Sequence, residues 1–484
     1  MHEQDLRHFL AAYRREHADD MLVLNEPVQD GQDLTAMVWQ LAASGRHPVL
    51  LAPQVWGVDV AVVTNLFASR ERIGRMLGGA AREIHAHFHA KSANLLPPEV
   101  LDTGPVLDEV AQGDAVDLSK LPMLRHFETD RAAYITNAVV VAEDPATGRG
   151  NLSYHRSMRH SESELATSLH SRGHLWRLQQ AAAARGEALP VAMVIGAHPL
   201  FMLAAAARVP FGTDERQVAG GLFGAPLQCV RTPRHGLLVP AHAEYVLEGV
   251  IDPEAKVEEG PFGEFTGYSS NRSTNHLLRV HTVMRRKDAM LVDVVGGNSA
   301  EHLNLGRVPR ESEMVTKLKE RFPSVTAVHY PGSGTHFHAY VALKQARDGE
   351  ARQVMLGLLG WDPYLKTVVA VDDDVDITRD EEVLWALAAH FQPHRDILVV
   401  DGLPGSALDP SASASGTTSR MGLDATRGMN FEGVRATIAP ESMERAAALL
   451  GRLGPAGVAG GIASRSRARG GGWPISGFGP LSGI

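Results

Sequence analysis

Cysteine is all but missing from this chain: Cys229 is the only one among 484 residues. That excludes an intrachain disulfide, and any zinc or iron–sulfur site built on several thiolates. No apolar run reaches the roughly 18 residues that a membrane-spanning helix needs, and the opening Met1-His-Glu-Gln-Asp-Leu-Arg7 lacks the apolar stretch of a signal peptide. A cytoplasmic protein without a membrane partner is therefore expected. Basic residues are in deficit, 47 Lys and Arg against 56 Asp and Glu, for a net charge of −9. An anionic surface repels phosphate backbones, so no nucleic-acid partner is expected.

What remains describes a globular protein, 44% hydrophobic and 21% charged, long enough for roughly three domains of ordinary size. Cys229 sits in the apolar run Pro226-Leu-Gln-Cys-Val230 and reads as a small buried hydrophobe. Residues 1–105 alternate between the two periodicities: 5–17 amphipathic, 48–52 strand-like, 69–77 helical. They predict a small α/β unit, closed by the breakers Leu96-Pro-Pro98 and Thr103-Gly-Pro105. Between residues 106 and 300 short β-rich runs dominate, at 134–142, 192–195, 226–231 and 277–283, with one helical insertion over 162–185. From 301 to 440 the order is helix (311–321), strand (326–329), strand (338–343), helix (351–359), strand (367–371), helix (381–391), which implies a C-terminal α/β domain. Residues 441–484 hold a terminal helix at 442–453 and then a Gly-, Ser- and Arg-rich tail from Gly454 to Ile484 with little periodicity. The class is α+β and α/β, multidomain.

Chemistry concentrates in two segments of the middle region. In Glu259-Gly-Pro-Phe-Gly-Glu264, glycine and proline fix a chain reversal between two carboxylates. Differing surroundings can leave one ionised while the other keeps a proton near neutral pH, which is what a general acid requires. In Asn151-Leu-Ser-Tyr-His-Arg156, strand alternation sends Asn151, Ser153 and His155 to one face, with Arg156 starting the other or ending the strand. An amide, a hydroxyl and a guanidinium suit a metal, a phosphate and a carboxylate.

Taken together these segments resemble the UbiD family of decarboxylases, which use prenylated flavin mononucleotide. The family order of Asn-x-Ser-x-x-Arg, then His, then Glu, then a Gly/Pro-rich turn between two acids, reads here as Asn151, Ser153, Arg156, His174, Glu215, Glu259 and Glu264. Likeness runs from about Asn65 to about Thr426, including Val209-Pro-Phe-Gly-Thr-Asp-Glu215 and the Asp372-Asp-Asp-Val-Asp376 stretch.

The resemblance implies a split β-barrel in the central domain to hold the flavin. It also implies a divalent ion, Mn²⁺ or Mg²⁺, at Asn151, His174 and Glu215, with K⁺ nearby, and Ser153 as a donor to flavin or phosphate. Arg156 and Glu259 would position the substrate carboxylate, and Glu264, flanked by Phe262 and Phe265, would protonate the product. Arg420 falls where relatives often carry Lys, and would help neutralise phosphate. Ala204-Ala-Ala-Ala207 and Gly173 depart from the ferulic acid decarboxylases and lean the expected substrate toward an alkenoic rather than an aromatic acid, in secondary metabolism. A flavin prenyltransferase as cofactor supplier and a homodimer are implied as well.

Two rivals stand beside this reading. Ile84-His-Ala-His-Phe-His89, read as a strand, would line His85, His87 and His89 on one face as a zinc hydrolase site. A flavin-binding protein that no longer turns over is the second. Three other segments fail their motifs. His170-Ser-Arg-Gly-His174 lacks the Glu of a metalloprotease helix. Asp372-Asp-Asp-Val-Asp-Ile377 lacks the glycine of a calcium loop. Tyr330-Pro-Gly-Ser-Gly334 does not complete a dinucleotide fingerprint.

Overall fold

The computed structural model describes residues 3–452, apart from 146, 170–172, 272, 345–346, 414–415 and 429–430. The Gly-rich tail 454–484 and the first half of the His170–His174 segment lie outside the described residues. Residues Met1–Met429 form one compact unit and Asn430–Ile484 a second. In the second, residues 440–452 are helical, where the sequence predicts a helix over 442–453.

The architecture is mixed α+β, organised among the described residues by four sheets. A small sheet joins Met21–Val23, Val49–Ala52 and Val62–Thr64 to Leu291–Val292, which returns from far along the chain to pair parallel with Val62 and Val63. Its flanking helices are closed by local chemistry. Asp5 caps Leu6–Glu16 by accepting from the Arg7 amide, and Ser69 caps Arg70–Leu77, which ends at Gly78 with φ +83°. The last sheet runs Val325–His329, His338–Leu343, Thr367–Asp372, Thr417–Asp424, Ile397–Pro404, antiparallel at its two edges and parallel between.

The site is built on the central nine-stranded sheet. Its path is Tyr134–Ile135, Ser157–Arg159, Glu164–Thr167, Ser273–Arg285, Tyr245–Glu259, Leu189–Ile195, Val139–Glu143, Gly150–Tyr154, with Glu109–Gln112 added on Ser273–Arg285. Among the described residues no pairing joins the first of these strands to the last, so the expected barrel closure is not seen in the hydrogen bonding.

The apolar run Val139-Val-Val-Ala142 is buried on both faces because the sheet is a middle layer. Val139 and Val141 pack into one hydrophobic core with Ala192 and Val194, while Val140 and Ala142 pack into another with Val191 and Met193. Two expectations are corrected. The helix predicted over 162–185 is a strand at Glu164–Thr167 followed by a helix at His174–Ala183, and two further helices, Pro199–Ala205 and Glu215–Phe223, follow. The helix predicted from 311 starts at Ala300 and runs to Lys319, with Ser299 as its cap; Gly306 and Pro309 inside it hid the earlier turns.

Candidate active site

Hairpin register sets one half of the site. Asn151 stands opposite Ala142 and Ser153 opposite Val140, and the predicted alternation is realised as a chain of hydrogen bonds along one face. Asn151 Nδ2 donates to Ser153 Oγ at 3.2 Å, Ser153 Oγ lies 2.9 Å from His155 Nε2, and His155 Nδ1 lies 2.8 Å from the Ser168 carbonyl. A carbonyl only accepts, so Nδ1 carries a proton; in the neutral ring Nε2 then accepts from Ser153. The relay fixes the Asn151 amide with its nitrogen inward. Asn151 Oδ1 is left buried and without a partner.

Two more donors meet there. Glu215 opens the helix Glu215–Phe223, is 2% exposed, and accepts from the Leu152 amide on Oε2 at 2.9 Å. Its Oε1 is 3.8 Å from Nδ1 of His174, the first residue of the helix His174–Ala183. An orphaned amide oxygen, a spare carboxylate oxygen and an imidazole suit a divalent ion that also takes phosphate oxygens, and the three residues fit that group. Among the described residues no cluster of three or more His, Cys, Asp and Glu forms a metal site.

The other half is a closed charge cluster. Arg156 Nε and Nη2 donate to the two oxygens of Glu259 at 2.9 and 3.1 Å, and Nη1 donates to Glu264 Oε1. Glu259, the last residue of the strand Tyr245–Glu259, is fully buried and also accepts from Asn275 Nδ2 at 2.7 Å. The intervening turn leaves little latitude. Gly260 has φ +84°, and a Cβ on Gly263 would come within 2.3 Å of the Phe127 ring. The Gly260 amide donates to Tyr134 Oη at 3.1 Å and the Gly263 amide to Asp130 at 2.8 Å. Phe262 packs at a tilt against Tyr134 with centroids 4.7 Å apart and lies 4.9 Å under the Arg156 guanidinium.

Burial raises the pKa of Glu264 above the ordinary carboxylate range. Arg156 opposes that shift, while the charges of Glu259 and Asp130 add to it. Arg156 lowers it less than an unshared cation would, because Glu259 already takes two of its donors. Burial, with Glu259 beside it, likewise pushes the Tyr134 hydroxyl up. Tyr134, Asn275 and Asp130 join the site without a signal in the sequence; each reaches it from a separate element by chain reversal.

One expectation is corrected by the geometry, that of a histidine strand. Arg420 donates to four backbone carbonyls, those of Leu359, Asp362 (3.0 Å), Pro363 (3.0 Å) and Pro404 (2.7 Å). His85, His87 and His89 lie on a helix, Ile84–Ser92, where spacing by two turns the middle ring away from its neighbours. His87 packs against Gly79, and His89 Nδ1 meets Thr316 Oγ1 at 3.2 Å. Cys229 is buried as expected, its thiol pushed up to about 12 by burial.

Three domains of one family match the chain: the 3-octaprenyl-4-hydroxybenzoate carboxy-lyase N-terminal domain over residues 13–91, the Rift-related domain over 99–299 and the C-terminal domain over 303–425. The anhydromevalonate phosphate decarboxylase of Methanosarcina mazei is 34% identical over 379 residues, covering 77% of this chain and 87% of the relative. Among solved structures, the UbiD-class enzyme HmfF from Pelotomaculum thermopropionicum in complex with FMN is 31% identical with a TM-score of 0.85, over 90% of this chain and 98% of that one. An evolved dimeric form of the same enzyme, in complex with prFMN, gives 29% and 0.81 over 91% and 100%. The vanillic acid decarboxylase of Sedimentibacter hydroxybenzoicus in closed form gives 27% and 0.81 over 94% and 99%. Likeness of this extent, spread over all three regions, decides what the paired carboxylates and the orphaned amide oxygen had left open: the chain belongs to the UbiD family and is a carboxy-lyase of that class.

Proposed function

We propose that this enzyme removes CO₂, without net oxidation and reversibly, from an α,β-unsaturated acid, alkenoic in preference to aromatic, with prenylated FMN as cofactor. Asn151, His174 and Glu215 would hold Mn²⁺ or Mg²⁺, with K⁺ as a further ion of the site, and Ser153 would donate to the flavin or its phosphate. The cofactor supplies a place for the electron pair of the breaking C–C bond. The chain's own residues supply the rest.

The junction of Arg156 with both Glu259 and Glu264 carries this reading. An incoming carboxylate competes with Glu264 for Nη1, while Glu259 keeps the guanidinium oriented through its other two donors. Because decarboxylation discharges that carboxylate, a full-strength grip on it would stabilise the ground state and slow the reaction; Glu259 tempers the grip. Once displaced, Glu264 is a buried carboxyl inclined to keep its proton, and it delivers that proton to the carbon that lost CO₂. In reverse it takes the proton back.

The vanillic acid decarboxylase neighbour is known in closed and open forms, and we infer that this enzyme also opens to admit substrate, since Glu259 and Glu264 are buried. A cytoplasmic homodimer, supplied with cofactor by a flavin prenyltransferase and acting in secondary metabolism, completes the proposal; its domains are those laid out from the sequence, 1–105, 106–300, 301–440 and 441–484. The test is CO₂ release from a panel of unsaturated acids, a phosphorylated one included because a relative is named for such a substrate, by protein produced with a flavin prenyltransferase. Flavin-loaded protein that releases no CO₂ from any acid would favour a silent flavin binder.

A further inference from the structure

Beyond Glu264, on the side of the C-terminal sheet, the fold gathers guanidinium groups with too little counter-charge. Phe265 packs against His336 and Tyr364 at 4.8 and 5.8 Å between ring centroids. Arg310 lies 5.0 Å from the Tyr364 centroid, and Glu264 acts electrostatically on that same tyrosine. Tyr364 therefore lies against both the first of these cations and Phe265, the neighbour of Glu264 in the chain. His336 is held well below its ordinary pKa by burial and by the charges of Arg310, Arg307, His302 and Arg208, which places all four around it.

The counter-charges are mostly spent. Asp362 is 3.4 Å from Arg310 Nε and accepts from Tyr330 Oη at 2.8 Å. Glu311 accepts from Arg70 at 2.7 and 3.1 Å and from the Tyr330 amide at 3.0 Å, and it meets His329 at 2.9 Å. Glu313 is paired with Lys317, and Asp380 accepts from Tyr340 Oη at 3.1 Å.

Arg307 has no hydrogen bond or ion pair among the described residues, although it is only 4% exposed; its Nε and Nη2 are buried without a partner, as are Arg310 Nη1 and His336 Nδ1. Arg208 is exposed beside them and feels Arg310 as its largest influence. Buried donors are almost always satisfied, and an unmatched buried cation is among the costliest features a fold can keep. Planar guanidinium forks match the oxygens of phosphate and carboxylate.

We infer that Arg307 and Arg310, with His336 alongside and Arg208 at the rim, bind a second anionic group of the substrate, a phosphate monoester or a further carboxylate, at the end away from the carboxylate that Arg156 positions. The inference rests on the decarboxylase reading above and adds to it the class of acid: a dianionic or trianionic one, in place of a plain hydrocarbon chain.

The experiment compares three unsaturated acids matched in length and ending in phosphate, carboxylate or hydroxyl, with flavin-loaded enzyme. The expected result is a kcat/KM at least a hundredfold higher for one of the anionic acids than for the hydroxyl acid, with that ratio falling at least tenfold in Arg307→Met and in Arg310→Met while the flavin absorbance per protein is unchanged. The better of the two anionic acids identifies the group. Inorganic phosphate added to the flavin-free wild type should raise its Tm, and should not raise that of Arg307→Met.

Equal kcat/KM for charged and neutral acids overturns the inference, as does loss of flavin from either variant, which would make the cluster a cofactor site. Should the variants fail to fold, the three-acid comparison on the wild type decides alone. If none of the acids is decarboxylated yet phosphate still raises the wild-type Tm and not that of Arg307→Met, the anion subsite stands and the decarboxylase reading falls.

Discussion

Arg156 is a half-buried guanidinium and Arg307 a buried one, and they are treated in opposite ways. Arg156 spends Nε and both Nη atoms on carboxylate oxygens, two from Glu259 and one from Glu264; Arg307 finds no such oxygen among the described residues. The matched cation is oriented by Glu259 before substrate arrives, which suits bond breaking. The unmatched one leaves stability unclaimed in the empty protein and can recover it only from a ligand. Preorganisation and recognition thus fall on different arginines.

That contrast can be broken from either side. The largest effect is expected from Glu264→Gln, which keeps the shape and one acceptor but no transferable proton: turnover should fall by about 10²–10⁴-fold with flavin retained, measured by CO₂ release and flavin absorbance. Next comes Arg156→Met. It strands Glu259 and Glu264 together in a buried pocket, and urea unfolding should register a loss of about 3–5 kcal/mol. Arg307→Met by contrast should leave the unfolding midpoint of the ligand-free protein unchanged or higher; a large loss would mean the two cations are alike after all.

Glu259→Gln sharpens the comparison through pH. In the proposed mechanism the acid form of Glu264 is the active one, so kcat/KM should decline as pH rises through its raised pKa. Removing the Glu259 charge takes away one cause of that elevation and frees Arg156 to act on Glu264, so the declining limb should move to lower pH in a pH–rate profile. The smallest effect belongs to His87→Ala, expected to change activity less than about twofold, since its ring packs on Gly79.

The sequence made some of this legible and hid the rest for physical reasons. Asn151, Ser153 and His155 could be aligned from spacing alone because a strand has a period of two and the hairpin enforces it. The same rule misplaced His85, His87 and His89, whose run of alternating His continues into Ala90-Lys91 and folds as a helix against the helix Ala300–Lys319. Arg156 and the two turn carboxylates were identifiable as a set through family order, whereas Tyr134 and Asn275 become partners only when distant strands pair.

Arg307 and Arg310 were invisible for a different reason. Their helix carries polar and apolar residues on every face, with Gly306 and Pro309 in its middle, so no amphipathic pattern announces which side is inward. Their surplus of charge shows only when the acceptors around them are counted in space.

The strand Leu291–Val292 pairs with a segment near the start of the chain, and so completes a sheet begun at Met21. Until Val292 has left the ribosome, the edge of Val62–Thr64 has no parallel neighbour and stays open to the wrong one. At translation speeds of about 5–20 residues per second that exposure lasts for about 10 to 50 seconds, so this region should be where nascent chains enlist chaperones, and separate expression of the first hundred residues should yield an aggregating fragment.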